Sequence, residues 1–415
     1  MIDPIPTALT DWHALQTPCY VFDEPELRAN FADFGRALRD TWSPLARVAY
    51  SVKTNPFPWI LRVAREEGCL AEVVSGDEFA LALDTGFAAN EVIFNGPIKP
   101  RDWLAYALAS GTVVNLDSVN DVAWTCAWAR EHPGRARVGV RANIELDRYC
   151  PGETITGDRG GRFGFCYENG ELARVIGELR AAGVEVCGLH MHVTTLSRSL
   201  RAYEVLAEHA VRIVRENGLA LSYVDMGGGY YGGGKRNEGA YERYAKVMAD
   251  TLREACDPAT CALYVEPGGA VVCTPGRYVG KVLDVKDTTA DRFVTCELSR
   301  INIDHEMKKT SYPLHVLAPD GACKDRDAEG AQGLPAHPHQ TLCGFTCMES
   351  DRLCSLEGWP ALEIGDTVVI DFAGAYSMSF TPGFFIEHAP AVYARDERGA
   401  CTLLRPLADR RAPRP

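Results

Sequence analysis

The sequence predicts an α/β fold, a (β/α)8 TIM-like barrel, followed by an all-β domain that reads as an antiparallel β-barrel. Two observations carry the first part. Eight strand-like runs, at 47–52, 71–74, 92–94, 112–115, 137–142, 186–191, 222–226 and 262–265, alternate with helix-like runs. Polar or glycine residues close nearly every one of these strands: Lys53, Ser75, Asn95, Asp117, Arg141, His192, Gly227 to Gly229 and Glu266. Barrel enzymes gather their sites on that face. One observation carries the second part. After Glu266 the strand-like runs continue with few helices between them.

Thr17-Pro18-Cys19-Tyr20-Val21-Phe22-Asp23 reads as a short strand, and Glu24 to Arg39 as a helix. This strand precedes the alternation, so it belongs to another sheet. The first barrel strand runs into Lys53 within Ala49-Tyr50-Ser51-Val52-Lys53-Thr54-Asn55-Pro56. A lysine at the end of a buried strand is solvated, paired or used. Desolvation lowers the pKa of an amine and makes it a nucleophile towards carbonyls. Glu145 to Gly164 breaks the periodicity, and Pro151, Gly152, Gly157, Gly160 and Gly161 mark a long loop after the fifth strand. Such a loop on the site face is more often functional than idle. Beyond it, Leu200, Tyr203, Leu206, Ala207, Ala210, Ile213 and Val214 recur at helical spacing.

Asp225-Met226-Gly227-Gly228-Gly229 ends the seventh strand. Glycines let the backbone approach an anion and cradle it with N–H groups, and barrels commonly bind phosphate after strands seven and eight. Glu266 ends the eighth strand, as a base, a metal ligand, or a salt-bridge partner of Arg141 or Lys53. His190 and His192 lie two apart and point the same way. No nearby carboxylate or cysteine completes a metal set in the sequence, so no metal is expected and His192 is read as a flat neighbour for a planar cofactor.

The later strands are expected at Val279 to Lys286, Arg292 to Ser299, Pro313 to Leu317, Gln340 to Cys347, Thr367 to Phe372 and Phe384 to Arg395. Asp320 to His339 reads as a surface excursion. The domain boundaries follow: 24–275 for the barrel, and 1–23 with 276–415 for the β-domain.

Composition excludes several classes. A net charge of -13 argues against nucleic-acid and anionic-membrane binding. No apolar run is long enough to span a bilayer, and Met1 to Trp12 has neither the basic region nor the apolar core of a signal peptide. The 15 cysteines are scattered without a CxxC pair, which points to reduced thiols in a cytoplasmic enzyme.

Lys53, Gly227 to Gly229, Glu266 and His192 together suit pyridoxal 5′-phosphate. That coenzyme needs an amine, a phosphate cradle, a carboxylate for its ring nitrogen and a flat neighbour. The barrel would be its binding domain.

The chain resembles the barrel-type (fold-type III) pyridoxal phosphate decarboxylases, which include diaminopimelate and ornithine decarboxylases. The resemblance runs from Thr17 to about Arg395 through TPCYVFD at 17–23, YSVKTNP at 50–56, EVVSGDE at 72–78, RFG at 162–164 and HMHV at 190–193. DMGGG at 225–229, EPG at 266–268, CMESD at 347–351 and AGAYS at 373–377 complete it. It implies that Lys53 carries the coenzyme and that Glu72, paired with Arg141, stands near it. It further implies that His192 stacks on the ring, Glu266 holds the ring nitrogen, and Thr195, Gly227, Gly228, Gly229 and Tyr376 approach the phosphate. Cys347 would reach into the neighbouring subunit of a homodimer and return a proton to the substrate carbon.

The chain departs from the family at informative places. The usual EPGR is EPGG, so the phosphate-contacting arginine is Gly269, with Lys235 or Arg236 as possible substitutes. The acid that grips a distal ammonium is Met348, with Glu349 one position late. No arginine-proline pair reads a substrate carboxylate between Asn302 and Tyr312; Lys308 or Lys309 would stand in, and Arg162 is a further basic candidate. FNGPIK at 94–99 is similar to decarboxylases of specialised metabolism, such as those for siderophore precursors or carrier-bound aminoacyl groups. The expected activity is decarboxylation of an L- or D-α-amino acid, a diamino acid or its acylated or conjugated derivative. A racemase on the same fold and a non-catalytic homologue are the alternatives.

Overall fold

The computed structural model describes residues 11–234, 237–304, 308–309, 311–328, 331, 333–379 and 389–407. The chain divides into two compact units, Arg28–Val271 and the combination of Met1–Leu27 with Val272–Pro415. Lys235 and Arg236 lie outside the described residues, as do 384–388 of the strand expected at Phe384 to Arg395.

Chain order places β1 (Cys19–Asp23) first, outside the barrel. The barrel strands are β2 (Arg47–Ser51), β3 (Leu70–Val73), β4 (Val92–Phe94), β5 (Val113–Leu116) and β6 (Arg137–Asn143). The short β7 (Phe165–Cys166) extends β6 from within the long loop. The ring continues with β8 (Glu185–His190), β9 (Tyr223–Asp225) and β10 (Ala262–Val265). Parallel pairing runs β5-β4-β3-β2-β10-β9-β8-β6, and a β5–β6 ladder closes the circle. All eight predicted strands are therefore present, within two residues of their expected ends.

Local sequence explains the alternation. Ser75, Ser118 and Ser199 cap three following helices by accepting from the backbone N–H of Glu78, Asp121 and Ala202. The helix Leu200–Asn217 buries Ala202, Tyr203, Leu206, Ala210, Ile213 and Val214 at the spacing that predicts it. Ala49, Leu70 and Ile93 pack with Val113 and Tyr264 as one cluster, and Cys187, Tyr223 and Ala262 join the same two residues in another. Glycine shapes this interior twice. A Cβ on Gly188 would lie 2.0 Å from the Tyr223 ring, and one on Gly139 would lie 2.2 Å from Asn115 Oδ1. These two positions leave room for the tyrosine.

In the second unit, the long β11 (Gly276–Asp287) pairs antiparallel with β1, with β12 (Arg292–Cys296) and with β16 (Thr367–Ile370). The remaining strands are β13 (Leu314–Leu317), β14 (His339–Cys343), β15 (Arg352–Glu357), β17 (Ala391–Arg395) and β18 (Cys401–Arg405). The pairing is mainly antiparallel, with β1–β17 and β12–β14 parallel. Strands β15 and β18 are absent from the sequence reading. The charged ends of β15 and the largely exposed pattern of β18 give little alternation to detect. The stretch after Asp320 is less of an excursion than expected: Lys324 is buried against Asp366 at 2.8 Å, and Asp325 holds His315.

Candidate active site

The C-terminal ends of the barrel strands carry a continuous polar network. Lys53 lies in a single turn, Val52–Thr54, between β2 and the helix Pro58–Glu66, which Pro58 begins. Its Nζ donates to Glu72 and to Ser51 Oγ, both at 2.8 Å, and Ser51 donates to the same Glu72 oxygen at 2.6 Å. Glu72 is 1% exposed and the Lys53 side chain 44% exposed. The carboxylate is thus fixed inside the barrel while the amine reaches outward.

Asn95 joins Glu72 to the far side of the ring. Its Nδ2 donates to Glu72 Oε1 at 3.1 Å and to Glu266 Oε1 at 2.5 Å. Its Oδ1 accepts from Asn115, whose own Oδ1 accepts from the Tyr223 hydroxyl at 2.8 Å. One amide therefore spaces two buried carboxylates.

Glu266 sits with His190 Nε2 at 3.4 Å and shares a buried cluster with Asp225. Burial and the Glu266 charge push the Asp225 carboxyl well above the usual range. Burial pushes Glu266 up too, but His190, the Asp225 hydrogen bond and His192 outweigh it and hold Glu266 below its usual range. The two carboxyls are thus pushed in opposite directions, Asp225 towards its neutral form and Glu266 towards its charged one. This corrects one expectation from sequence: carboxylates do stand beside the histidines, with ligand atoms of His190, Asp225 and Glu266 within 4.8 Å of one another.

His192 is neutral. Burial first, then the Arg141 guanidinium, pushes its pKa down to about 3. Its Nδ1 accepts from the Gly228 N–H at 3.1 Å, which leaves the ring proton on Nε2. Arg141 donates to Asp117 at 2.9 Å and to the His192 carbonyl at 3.1 Å, and lies over the Phe163 ring. The expected Glu72–Arg141 pair is not formed. Asp117 also ends a barrel strand and lies nearer the arginine's reach, so it takes that charge, and Lys53 takes Glu72.

The three glycines are required by their surroundings. A Cβ on Gly227 would lie 2.4 Å from His192, and one on Gly228 would lie 2.5 Å from the Glu266 carbonyl. Gly229 has φ of 92°. The Gly227 and Gly228 N–H groups are engaged by Asp225 and His192. Among the described residues the Gly229 N–H has no partner. Thr195 Oγ1 is buried beside the Tyr203 hydroxyl and closes no hydrogen bond of ordinary geometry.

Arg162 is exposed at the end of the long loop, stacked on Phe163 at 4.0 Å. The other expected site residues belong to the second unit. Lys308 and Lys309 are exposed beside the Arg300–Asp304 ion pair. Tyr376 is 38% exposed, with φ of 55°. Cys347, Met348 and Glu349 lie between β14 and β15, in a turn tied down by the buried Asp351. That carboxylate accepts from Thr346, from Ser299 and from the Arg300 N–H. Of the cysteines, Cys347 is the exposed one. Glu349 has a side chain 94% exposed and pairs with Arg352.

A family model described as "Pyridoxal-dependent decarboxylase, pyridoxal binding domain" matches residues 26–273. The chain belongs to this family. Its relatives include a probable chloroplastic diaminopimelate decarboxylase of Oryza sativa subsp. japonica, 27% identical over 94% of this chain and 78% of the relative. An L-glutamyl-[BtrI acyl-carrier protein] decarboxylase of Niallia circulans is 25% identical over 96% of this chain and 92% of the relative. The fold matches the crystal structure of diaminopimelate decarboxylase from M. jannaschii with a TM-score of 0.79 and 22% identity, over 95% of this chain and 90% of that one.

This decarboxylase uses pyridoxal 5′-phosphate, and its barrel fits that coenzyme. Lys53 offers an amine, Glu266 a buried carboxylate held towards its charged form, and His192 a neutral flat ring. Thr195 Oγ1, beside the Tyr203 hydroxyl, and the Gly229 N–H, which has no partner among the described residues, suit phosphate oxygens. Bound, the coenzyme supplies a cationic conjugated ring that accepts the electron pair left as carbon dioxide departs. Sequence reasoning assigns no role to Ser51, Asn95, Asn115, Asp117 or Asp225. Asn95 and Asp117 stand in the row of strand ends, which is the one signal that could have found them.

Proposed function

We propose that this decarboxylase acts on an α-amino acid whose far end is acylated, enlarged or anionic rather than a bare ammonium. Met348 carries the reading. It follows Cys347 where the family places an acid, and it offers only an apolar, polarizable surface. A lone ammonium against it would be desolvated without a partner. Glu349, the one carboxylate that could substitute, is turned into solvent and held by Arg352, which supports the same reading. Arg162, Lys308 and Lys309 would meet an anionic end. The Niallia circulans relative, named for a carrier-bound glutamyl group, supports a conjugated substrate and a place in specialised metabolism. Diaminopimelate is the second reading, supported by the names of the other relatives.

In this proposal the barrel unit is the coenzyme-binding domain. Lys53 holds the coenzyme, Glu72 orients Lys53, and Arg141 positions His192 beneath the ring. Glu266 keeps the ring nitrogen protonated. Thr195, Gly227 to Gly229 and Tyr376 surround the phosphate. The enzyme works as a homodimer in the cytoplasm, and Cys347 of one subunit returns the proton at the neighbour's substrate carbon.

A carbon dioxide release screen tests the substrate. Diamino acids, diaminopimelate, their acylated forms and citryl conjugates are compared by kcat/KM in the wild type and in Met348→Glu. The wild type should favour the modified substrates, and Met348→Glu should shift preference towards free diamino acids by about tenfold or more, roughly one charge-assisted contact. Efficient wild-type turnover of ornithine or lysine, abolished by Glu349→Gln, would overturn the proposal.

A further inference from the structure

We infer that Arg198 is the phosphate-binding cation of this enzyme, in place of the arginine that its EPGG sequence lacks. The inference rests on the reading of Gly227 to Gly229 as the phosphate loop.

Four observations place Arg198 there. It lies three residues beyond Thr195, whose buried Oγ1 has no ordinary hydrogen bond. Its guanidinium stacks over the Tyr231 ring at 4.8 Å, and Tyr231 is two residues beyond Gly229 and its unpartnered N–H. The two segments are stitched together. Tyr244 donates to the Arg198 carbonyl at 2.6 Å and receives the Tyr231 N–H at 3.4 Å, while Tyr203 donates to the Gly228 carbonyl at 3.0 Å. Finally, Arg198 is exposed and forms no ion pair among the described residues, so its guanidinium is open to a ligand. Its place beside the glycine loop, over Tyr231, sets it apart from the other exposed arginines.

The backbone agrees. Arg198 has φ of 55°, which a residue with a Cβ adopts only when its surroundings impose it. Glu153 imposes it. Its carboxylate accepts from Ser197 and Ser199, the two neighbours of Arg198, at 2.5 and 2.6 Å. Its carbonyl accepts from the Leu196 N–H, and Thr154 bridges to Thr195. Both serines thus engage the Glu153 carboxylate, and the arginine between them lies over Tyr231. A guanidinium over a ring, with its N–H groups uncommitted, can offer its fork to a bidentate phosphate contact.

The test measures coenzyme affinity directly. Dissociation constants for pyridoxal phosphate and for pyridoxal are measured by absorbance on the wild type and on Arg198→Gln, starting from apoprotein. Arg198→Gln should weaken pyridoxal phosphate by about 10- to 100-fold, the range of one charge-assisted contact. Pyridoxal binding, which reports both folding and Lys53, should be unchanged. Unchanged affinity for pyridoxal phosphate, or equal loss for both ligands, would overturn the inference. A wild type that does not prefer pyridoxal phosphate to pyridoxal would instead overturn the phosphate reading of the glycine loop, and the inference with it.

Discussion

At the scale of single residues, the site works by keeping charges apart and accounted for. Glu72 and Glu266 are both buried, and Asn95 donates to each through one amide nitrogen. Lys53 balances the first, while burial and the Glu266 charge favour neutral Asp225, and the neighbouring histidines favour charged Glu266. A carboxylate so placed holds a pyridine nitrogen protonated, and an amide cannot. Glu266→Gln should therefore still bind coenzyme, with its visible absorption retained, yet lose about 100-fold or more in kcat, at roughly 1.4 kcal/mol of barrier per decade. Near-normal turnover would count decisively against the role.

At the scale of elements, space and hydrogen bonding set the tolerances. Gly188 of β8 faces the Tyr223 ring with no room for a methyl group. Gly188→Ala should destabilise the barrel by about 1–3 kcal/mol through overpacking, and Tyr223→Leu in the same chain should recover part of the lost melting temperature. A double variant no more stable than the single one would refute this cause. In the β-unit, His315 of β13 lies between Asp325 at 2.5 Å and Asp371 at 3.1 Å, with Arg277 on the other Asp371 oxygen. Burial alone would lower its pKa, but the two carboxylates raise it to about 9. A folded-state value above the unfolded one stabilises the folded form at low pH. That contribution is fully present below about pH 6.5 and is lost as pH rises through about 9. Unfolding measured across this window should show a steeper loss for the wild type than for His315→Gln; parallel curves would exclude the histidine as the source.

At the scale of the whole molecule, Lys53 lies in the barrel unit and Cys347 in the other. If the sites are shared between subunits, inactive Lys53→Ala and Cys347→Ala homodimers should regain activity when mixed and allowed to exchange. Each heterodimer keeps one intact site, so recovery should reach about a quarter of the wild-type level at equal mixing, the limit set by random two-fold assembly. No recovery despite proven exchange would mean that both residues serve one chain's site.

The sequence by itself determined the barrel, because strand and helix periods differ and each strand end carries a residue too polar to be filler. It also pointed to the coenzyme, through Lys53, His192, the Gly227–Gly229 run and Glu266, and to the family, through the resemblance of motifs such as YSVKTNP, DMGGG and EPG. The pairing of charges was decided only by tertiary structure. Arg141 takes Asp117, and Glu72 takes Lys53, because partners across a barrel are chosen by distances between strands that no sequence separation encodes. The same holds for the opposed shifts of Asp225 and Glu266, the amide bridge of Asn95 and the placement of the Arg198 guanidinium over Tyr231. Each depends on what lies within a few ångströms in the folded chain, and burial then magnifies that difference into a protonation state or a binding contact.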